Sequence, residues 1–576
     1  GRLAAGKHTI SIEVDNSPGS VPSGIHGSHA WTDATQTNWN GIIGKFGLEA
    51  HEGILFENLQ LFPDIENNTV RVKALIRSSG SGDAGITVKG YAWNTKEKAS
   101  IPQQHFGMTL EEGTGIYEFQ LDMGGNPLLW SEFNPALYKV HFELDHQDKK
   151  DYYTMDIGLR DFSTEKSQFS INSLKTFLRG KHDACVFPLT GYPPMEKEEW
   201  VRQMRISKQY GLNHYRFHSW TPPQAAFEAA NEEGIYMQAE LPYWGTMDPE
   251  NGALNDFLIQ EGEGILAAYG NNPSFVMMAL GNELGGDVDY MRTMVDAFRR
   301  KDHRRLYAFG ANNALGTAGQ QEGEDFLVTC RVGGEVGSGD YSTHTRATFS
   351  FADAVEGGYM NGRYPSADIT FEEAVADCTV PVISHENGQF QVYPDYGEIE
   401  KYTGVLYPYN MEIFRQRLQQ NGLSDQADDF HQATARFAAL CYKADIEMCF
   451  RTPGFGGFQL LDLQDYPGQG SAYVGLLDAF MDSKGAMTPE EFRGFCGNIV
   501  PLALFSRYCW SNDETFTAQL KISNFSDKAL SNESLHWRLQ DTSTKEILSS
   551  GSIGDIDVAQ GGLSEVGKIE VPFKEI

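Results

Sequence analysis

From about residue 180 to residue 465 the chain alternates short apolar runs with amphipathic stretches of helical period. An apolar run followed by a helix that covers it is the signature of parallel βα units. The runs fall at 185–189, 213–218, 235–241, 275–280, 306–309, 326–330, 380–384 and 456–461, with helices expected over 196–210 and 222–234. Eight such units fit a closed (β/α)8 barrel with long loops, in which chemistry belongs at the C-terminal ends of the strands.

The flanks read differently. Alternating strands are expected at 9–14, 44–50 and 54–56, then at 69–76, 85–91 and 138–144, and again at 516–522 and 535–539. Period-2 runs at short intervals suit β-sandwiches. The expected architecture is therefore multidomain, with β-sandwich domains flanking a TIM barrel catalytic domain. Residues 1–62 read as the C-terminal part of a jelly-roll-like sandwich that continues upstream, and 63–164 as an immunoglobulin-like sandwich. The barrel is expected over 165–505 and a C-terminal sandwich, short of a full strand set, over 506–576. At 576 residues the chain is too long for one core.

A formal charge of -32 argues against nucleic acid, which needs clustered Lys and Arg, and against attraction to anionic membranes. No apolar run reaches membrane-spanning length. The seven cysteines form no CxxC pair and read as scattered thiols. The sequence contains no HExxH or EF-hand spacing, so neither a metal nor a cofactor is expected. Gly333–Gly339 reads as a loop, since a nucleotide site needs a strand before it and a helix after it.

Two glutamates stand at strand ends with polar neighbours: Glu283 after the fourth strand and Glu386 after the seventh. Breaking an acetal needs one carboxylic acid to protonate the leaving oxygen and a second carboxylate to attack the sugar carbon. Fourth and seventh strands face each other across a closed barrel. Asn282 could grip a sugar hydroxyl, Ser384 and His385 precede Glu386, and Gly388 allows a tight turn.

Several stretches carry a resemblance to one family. Asn272-Pro273-Ser274-Phe275 with Ala279-Leu280-Gly281-Asn282-Glu283 resembles the acid/base signature of glycoside hydrolase family 2, which includes β-galactosidases, β-glucuronidases and β-mannosidases. Leu129-Trp130-Ser131-Glu132-Phe133-Asn134-Pro135 is similar to the end of that family's immunoglobulin-like domain. Phe169-Ser170-Ile171-Asn172 and Leu178-Arg179-Gly180 are similar to its lead-in to the barrel. Gly6–Asn16 with Trp39-Asn40-Gly41-Ile42 resembles the end of its sugar-binding sandwich.

The resemblance implies Glu283 as acid/base and Glu386 as nucleophile of a retaining exo-β-glycosidase. Glu283 would be protonated at rest, with a pKa above the usual value, and Glu386 ionised. Arg216 would steady the nucleophile, and His218, Asn282 and His385 would contact the sugar. The aromatics Tyr243, Trp244 and Trp220 are stacking candidates. The chain departs from the family after the eighth strand, where Gln459 and Asp462 become the candidate contacts. The stretch 469–475 lacks the basic residue that pairs a uronate, which counts against a glucuronidase; with the commonness of galactoside-directed activities in the family, this gives a galacto-configured sugar as the expectation. At the sixth strand Cys330-Arg331 stand where a Tyr is usual, with Tyr341 or His344 as substitutes. The alternatives are a β-glucuronidase or β-mannosidase of the same family, or a non-catalytic carbohydrate-binding protein, although such proteins usually lose one carboxylate. The expected partner is a carbohydrate substrate, with self-association left open. Family habit implies a periplasmic or extracellular bacterial setting.

Overall fold

The computed structural model describes residues 6–575 except 33, 35–36, 312–318, 333–342, 345–363, 365 and 471. A seven-stranded sandwich comes first: β1 (Ile54–Asp64), β2 (Thr69–Ser78), β3 (Gly82–Trp93), β4 (Ser100–Leu110), β5 (Gly113–Asp122), β6 (Leu137–His146) and β7 (Lys149–Ile157). The sheets run β1-β2-β5 and β4-β3-β6-β7. Alternate residues such as Val70, Val72, Ala74, Ile86, Val88, Val140, Phe142 and Leu144 fill the space between them. This is the period-2 burial expected when one face of each strand is dry.

The expected division at residue 62 falls inside a strand, because β1 pairs with β2 from Ile54↔Ser78 to Asp64↔Thr69. The segments 9–14 and 44–50, expected as strands, form none. Ile10, Ile12 and Val14 lie about half exposed, so their alternation is not matched by a packed sheet. Residues 6–53 instead run as extended chain with one 3-10 turn, Ser23–Gly27, whose Ile25 is buried against the barrel with Tyr243 and Leu254.

Eight parallel strands form the barrel: β8 (Leu178–Asp183), β9 (His214–Phe217), β10 (Tyr236–Glu240), β11 (Phe275–Ala279), β12 (Leu306–Ala308), β13 (Leu327–Thr329), β14 (Val382–Gly388) and β15 (Gly457–Leu461). Their order is β12-β11-β10-β9-β8-β15-β14-β13, and Ala311, bridging to both Asn282 and Val328, closes the ring. Helices such as Lys197–Gln209, Gln224–Glu233, Gly252–Tyr269 and Ala427–Arg451 cover the outside. Among the described residues no helix is long and apolar enough to cross a membrane.

The first barrel strand is not the expected 185–189, which lies in the loop beyond it with Cys185 at φ 62. The strand is Leu-Arg-Gly-Lys-His-Asp, too polar to read as a buried run. The long polar side chains have partners: Arg179 meets Glu132 at 2.9 Å, Lys181 donates to Gln464 at 2.7 Å and lies 3.6 Å from Asp462, and His182 meets Asp462 at 2.9 Å. Buried charges are tolerated where they are paired.

After the barrel come β16 (Ile499–Leu504), β17 (Thr515–Asn524), β18 (Leu530–Gln540), β19 (Ile547–Val558) and β20 (Gly562–Pro572). They form the sheets β16-β17-β20 and β18-β19. The pairing of β16 with β17 moves the start of this unit ahead of the expected residue 506.

The sandwich-to-barrel junction explains one of the sequence signatures. Trp130 is fully buried, donates from Nε1 to Asn231 O at 2.8 Å, and meets Tyr236 edge-on. Two residues on, Glu132 accepts from Asn213 and Thr176 besides pairing with Arg179. Trp130→Ala would leave a cavity and an unpaired carbonyl, so a loss of about 3–5 kcal/mol is expected in the denaturant midpoint of barrel unfolding. Trp130→Phe should cost about half as much; equal losses would show that the indole hydrogen bond and its extra ring carry no weight.

Candidate active site

Strands β9, β10, β11 and β14 end around one guanidinium. Arg216, with no exposure, sends Nε to Glu240 Oε1 at 2.7 Å and Nη2 to Asn282 Oδ1 at 2.5 Å, while Nη1 lies 3.4 Å from Glu386 Oε1. Glu240, equally buried, also accepts from Ser219 N at 2.6 Å. Burial opposes the charge on Arg216, but Glu240 and then Glu386 outweigh it, so the group stays a cation.

Glu283 and Glu386 face each other across a cavity of 290 Å3 lined with them by His29, His182, His218, Trp244, Asn282, Gln389, Leu461, Tyr466 and Gln469. A carboxylate oxygen of each glutamate and a ring nitrogen of His385 all lie within 4.8 Å of one another. That separation matches two carboxylates acting on one carbon. These three groups are also the one set of donors, among the described residues, close enough to share a metal ion.

Both glutamates sit in the left-handed region, at φ 43 and φ 47. Non-glycine residues hold such angles only where the surroundings impose them. Here the neighbours do. Asn282 N donates to Tyr243 O and Glu283 N to Ala311 O. Gly281, at φ 145, passes so close to the Tyr243 carbonyl that a Cβ would collide, and a Cβ on Gly388 would strike the Tyr442 ring.

Burial alone would raise the Glu386 carboxyl. His385 Nε2 at 3.2 Å and His218 Nε2 at 3.4 Å outweigh it and hold the group well below the usual carboxylate range. Burial pulls His218 well below the ordinary imidazole value and His29 down to about 4. His29 Nδ1 lies 2.9 Å from Ala184 O; a carbonyl only accepts, so Nδ1 carries the proton and Nε2 is the acceptor. Its ring lies 4.3 Å from His218 and stacks at 5.9 Å on Trp244. The Asn282 Nδ2 is buried and, among the described residues, has no hydrogen-bond partner, and a buried donor left open in a cavity wall is one that a ligand can satisfy.

Comparison with known proteins agrees with this geometry. The model of "Glycosyl hydrolases family 2" matches residues 55–160, the sandwich, and a "Domain of unknown function (DUF8488)" matches 514–576. A β-galactosidase of Lactococcus lactis is 28% identical over 169 residues, covering 28% of this chain and 17% of that protein. A β-glucuronidase of Paenibacillus borealis is 26% identical over 287 residues, covering 46% and 45%. The solved β-D-mannosidase of Dictyoglomus thermophilum shares the fold with a TM-score of 0.60 at 14% identity, over 90% of this chain and 63% of that one. On these findings the chain is similar to members of glycoside hydrolase family 2. Its matches span less than half the length of either curated relative.

Of the residues that the family resemblance singled out, Glu283, Glu386, Asn282, His218 and Trp244 line the cavity, with Arg216 and His385 directly behind Glu386. Two do not reach it. Gln459 lies one layer down inside the barrel, level with Gly180, donating to Gln238 and His214. Asp462 is buried behind His182 and holds that ring by its Nδ1. Trp220 and Tyr243 belong to the core. Tyr341 and the loop 333–339 lie outside the described residues; His344 is described only through backbone pairing with Arg331.

Sequence reasoning passed over His29, His182, Tyr466 and Glu240. A glutamate inside an apolar run, as at Met237-Gln238-Ala239-Glu240-Leu241, is the signal that could have found the last. His29 lies in a Ser/Gly/His-rich stretch that carries no periodicity.

The loop after β15 is anchored by a buried acidic group. Asp465 pairs with Lys484 at 2.5 Å and accepts from Gly475 N, while Lys401 bridges Asp478 and Asp482. Glu398, accepting from Tyr402 Oη at 3.1 Å, is pushed up to about 8 by burial first and then by Asp465 and Asp478. The unfolded carboxyl titrates near 4.3. Between these values the folded chain holds a proton that the unfolded chain has lost, so this group erodes stability as pH rises. Glu398→Gln keeps the acceptor and removes the titration: its unfolding midpoint should exceed wild type at pH 8, with the gap narrowing toward pH 5. A gap independent of pH would contradict this assignment.

Proposed function

We propose that the chain is a retaining exo-β-glycosidase that removes a terminal neutral sugar, galacto-configured, from an oligo- or polysaccharide. The observation that carries this reading is the approach of the Glu283 and Glu386 carboxylates to within 4.8 Å. Retaining sites hold their carboxyls about 5–5.5 Å apart, and inverting sites about 6.5–9.5 Å.

In the first step Glu386 attacks the anomeric carbon, the bond to the leaving oxygen breaks, and Glu283 gives that oxygen its proton. In the second, Glu283 takes a proton from water, the water oxygen attacks the same carbon, and the bond to Glu386 breaks. Two inversions return the original configuration. Arg216, His218 and His385 keep Glu386 ionised for the attack, and Asn282 Nδ2 is placed to donate to the sugar.

The choice of a neutral sugar is supported by the cavity wall. Among the described lining residues there is no Lys or Arg, whereas a uronate carboxylate would need a cation in a site this dry.

A panel of nitrophenyl glycosides reads the terminal sugar, and proton NMR of the first product should show retained β configuration. Glu386→Ala should lose at least about a thousandfold in kcat. Added azide should restore turnover with formation of the α-glycosyl azide, whereas Glu283→Ala should yield the β-glycosyl azide. Initial release of the α sugar, or full activity without Glu386, would sink the assignment.

A further inference from the structure

Outside the cavity mouth the loops that follow β8 and β14 are tied together. Val405 N donates to Leu189 O at 3.2 Å and Leu406 N to Pro188 O at 2.9 Å. Gly404 packs so tightly on Leu189 that a Cβ there would collide with its backbone. Tyr409 N donates to Tyr407 O at 2.8 Å. The Asn410 side chain donates to Gly470 O, and the preceding residue, Gln469, lines the cavity. The segment 404–410 is thus fixed in position relative to the two glutamates.

These ties hold apolar side chains in water. Tyr407 is 60% exposed, Tyr409 70% and Val405 63%, and the two tyrosine rings meet edge-on with centroids 5.3 Å apart. An exposed apolar patch on a well-anchored loop marks a contact surface. Its place says with what: Asn410, next to Tyr409, bonds Gly470, whose neighbour Gln469 is part of the cavity wall. Tyrosine rings offer flat faces to the C–H faces of sugars and a hydroxyl to their polar edges.

We propose that Tyr407 and Tyr409 form the leaving-group subsite, a platform that stacks the sugar next to the cleaved bond and the one beyond it. The substrate class is then a β-linked oligo- or polysaccharide, and not a glycoside with a small leaving group. This rests on the glycosidase reading of Glu283 and Glu386.

The test compares two substrates of the same terminal sugar: β-galactosyl fluoride, whose leaving group cannot reach the platform, and β-1,4-galactotriose. If the nitrophenyl panel identifies another sugar, its fluoride and trisaccharide replace them. For the Tyr407→Ala/Tyr409→Ala double variant, kcat/KM on the trisaccharide should fall about tenfold or more, with the fluoride within about twofold. Equal losses on both substrates, or none on the trisaccharide, would overturn the platform while leaving the glycosidase reading intact. Sedimentation that shows wild type as a dimer and the double variant as a monomer would assign the patch to a second copy of the chain. A wild type that cleaves neither substrate, nor any glycoside of the panel, would sink both readings together.

Discussion

The Arg216 guanidinium is the point on which the site depends. It is out of water, so each of its donors must find an acceptor. The acceptors come from three other strand ends: Glu240 from β10, Asn282 from β11 and Glu386 from β14. One planar group therefore fixes the relative positions of the Asn282 amide, the Glu386 carboxylate and Glu283, which follows Asn282 in the chain. Glu240 takes no place in the cavity. Its work is electrostatic: it holds the cation, which then holds Glu386 as an anion. A lysine could carry the charge but not the geometry, since its ammonium lacks the planar fork.

The backbone shows the same logic. Glu283, Glu386 and Ser219, each just past the end of a strand or within its last turn, hold positive φ, a cost of about 1–3 kcal/mol apiece. In a barrel the strand direction alone would send these side chains along the sheet. The turn at the strand end redirects them into the cavity, and tight contacts at Gly281 and Gly388 keep the turn from relaxing. The Gly-Asn-Glu and Glu-Asn-Gly sequences are thus answers to one steric problem at two strands.

How much of this was legible beforehand follows from the same physics. Seven barrel strands announce themselves because parallel strands buried on both faces must be apolar. The eighth, β8, is hidden because its polar side chains are partnered by residues distant in sequence, Glu132 at the sandwich junction and Asp462 and Gln464 after the neighbouring β15. Glu283 and Glu386 were readable from strand-end position. Gln459 and Asp462 lie outside the cavity lining, since sequence shows which strand a residue occupies but not which layer of the barrel it faces. The sandwich boundaries moved because β1 and β16 are recognised by their partners and not by their own composition.

The segment before β1 is the least regular part of the described chain, yet a chain of contacts links it to Glu386. His29 N donates to Ser219 Oγ, Ser219 N donates to Glu240, Glu240 holds Arg216, and Arg216 reaches Glu386. The His29 ring meanwhile forms a wall of the cavity, held by Ala184 O in the tautomer that offers Nε2. A segment with almost no secondary structure can be held this firmly because its fixed points are buried ones, Ile25 and His29. The stretch around Ile25 and His29 carries no period because it packs against the barrel mouth through single residues, not along a face. The cavity wall at His29 and the charge placement at Glu386 therefore share one hydrogen-bonded path, so the shape of the cavity and the state of its buried carboxylate are set together.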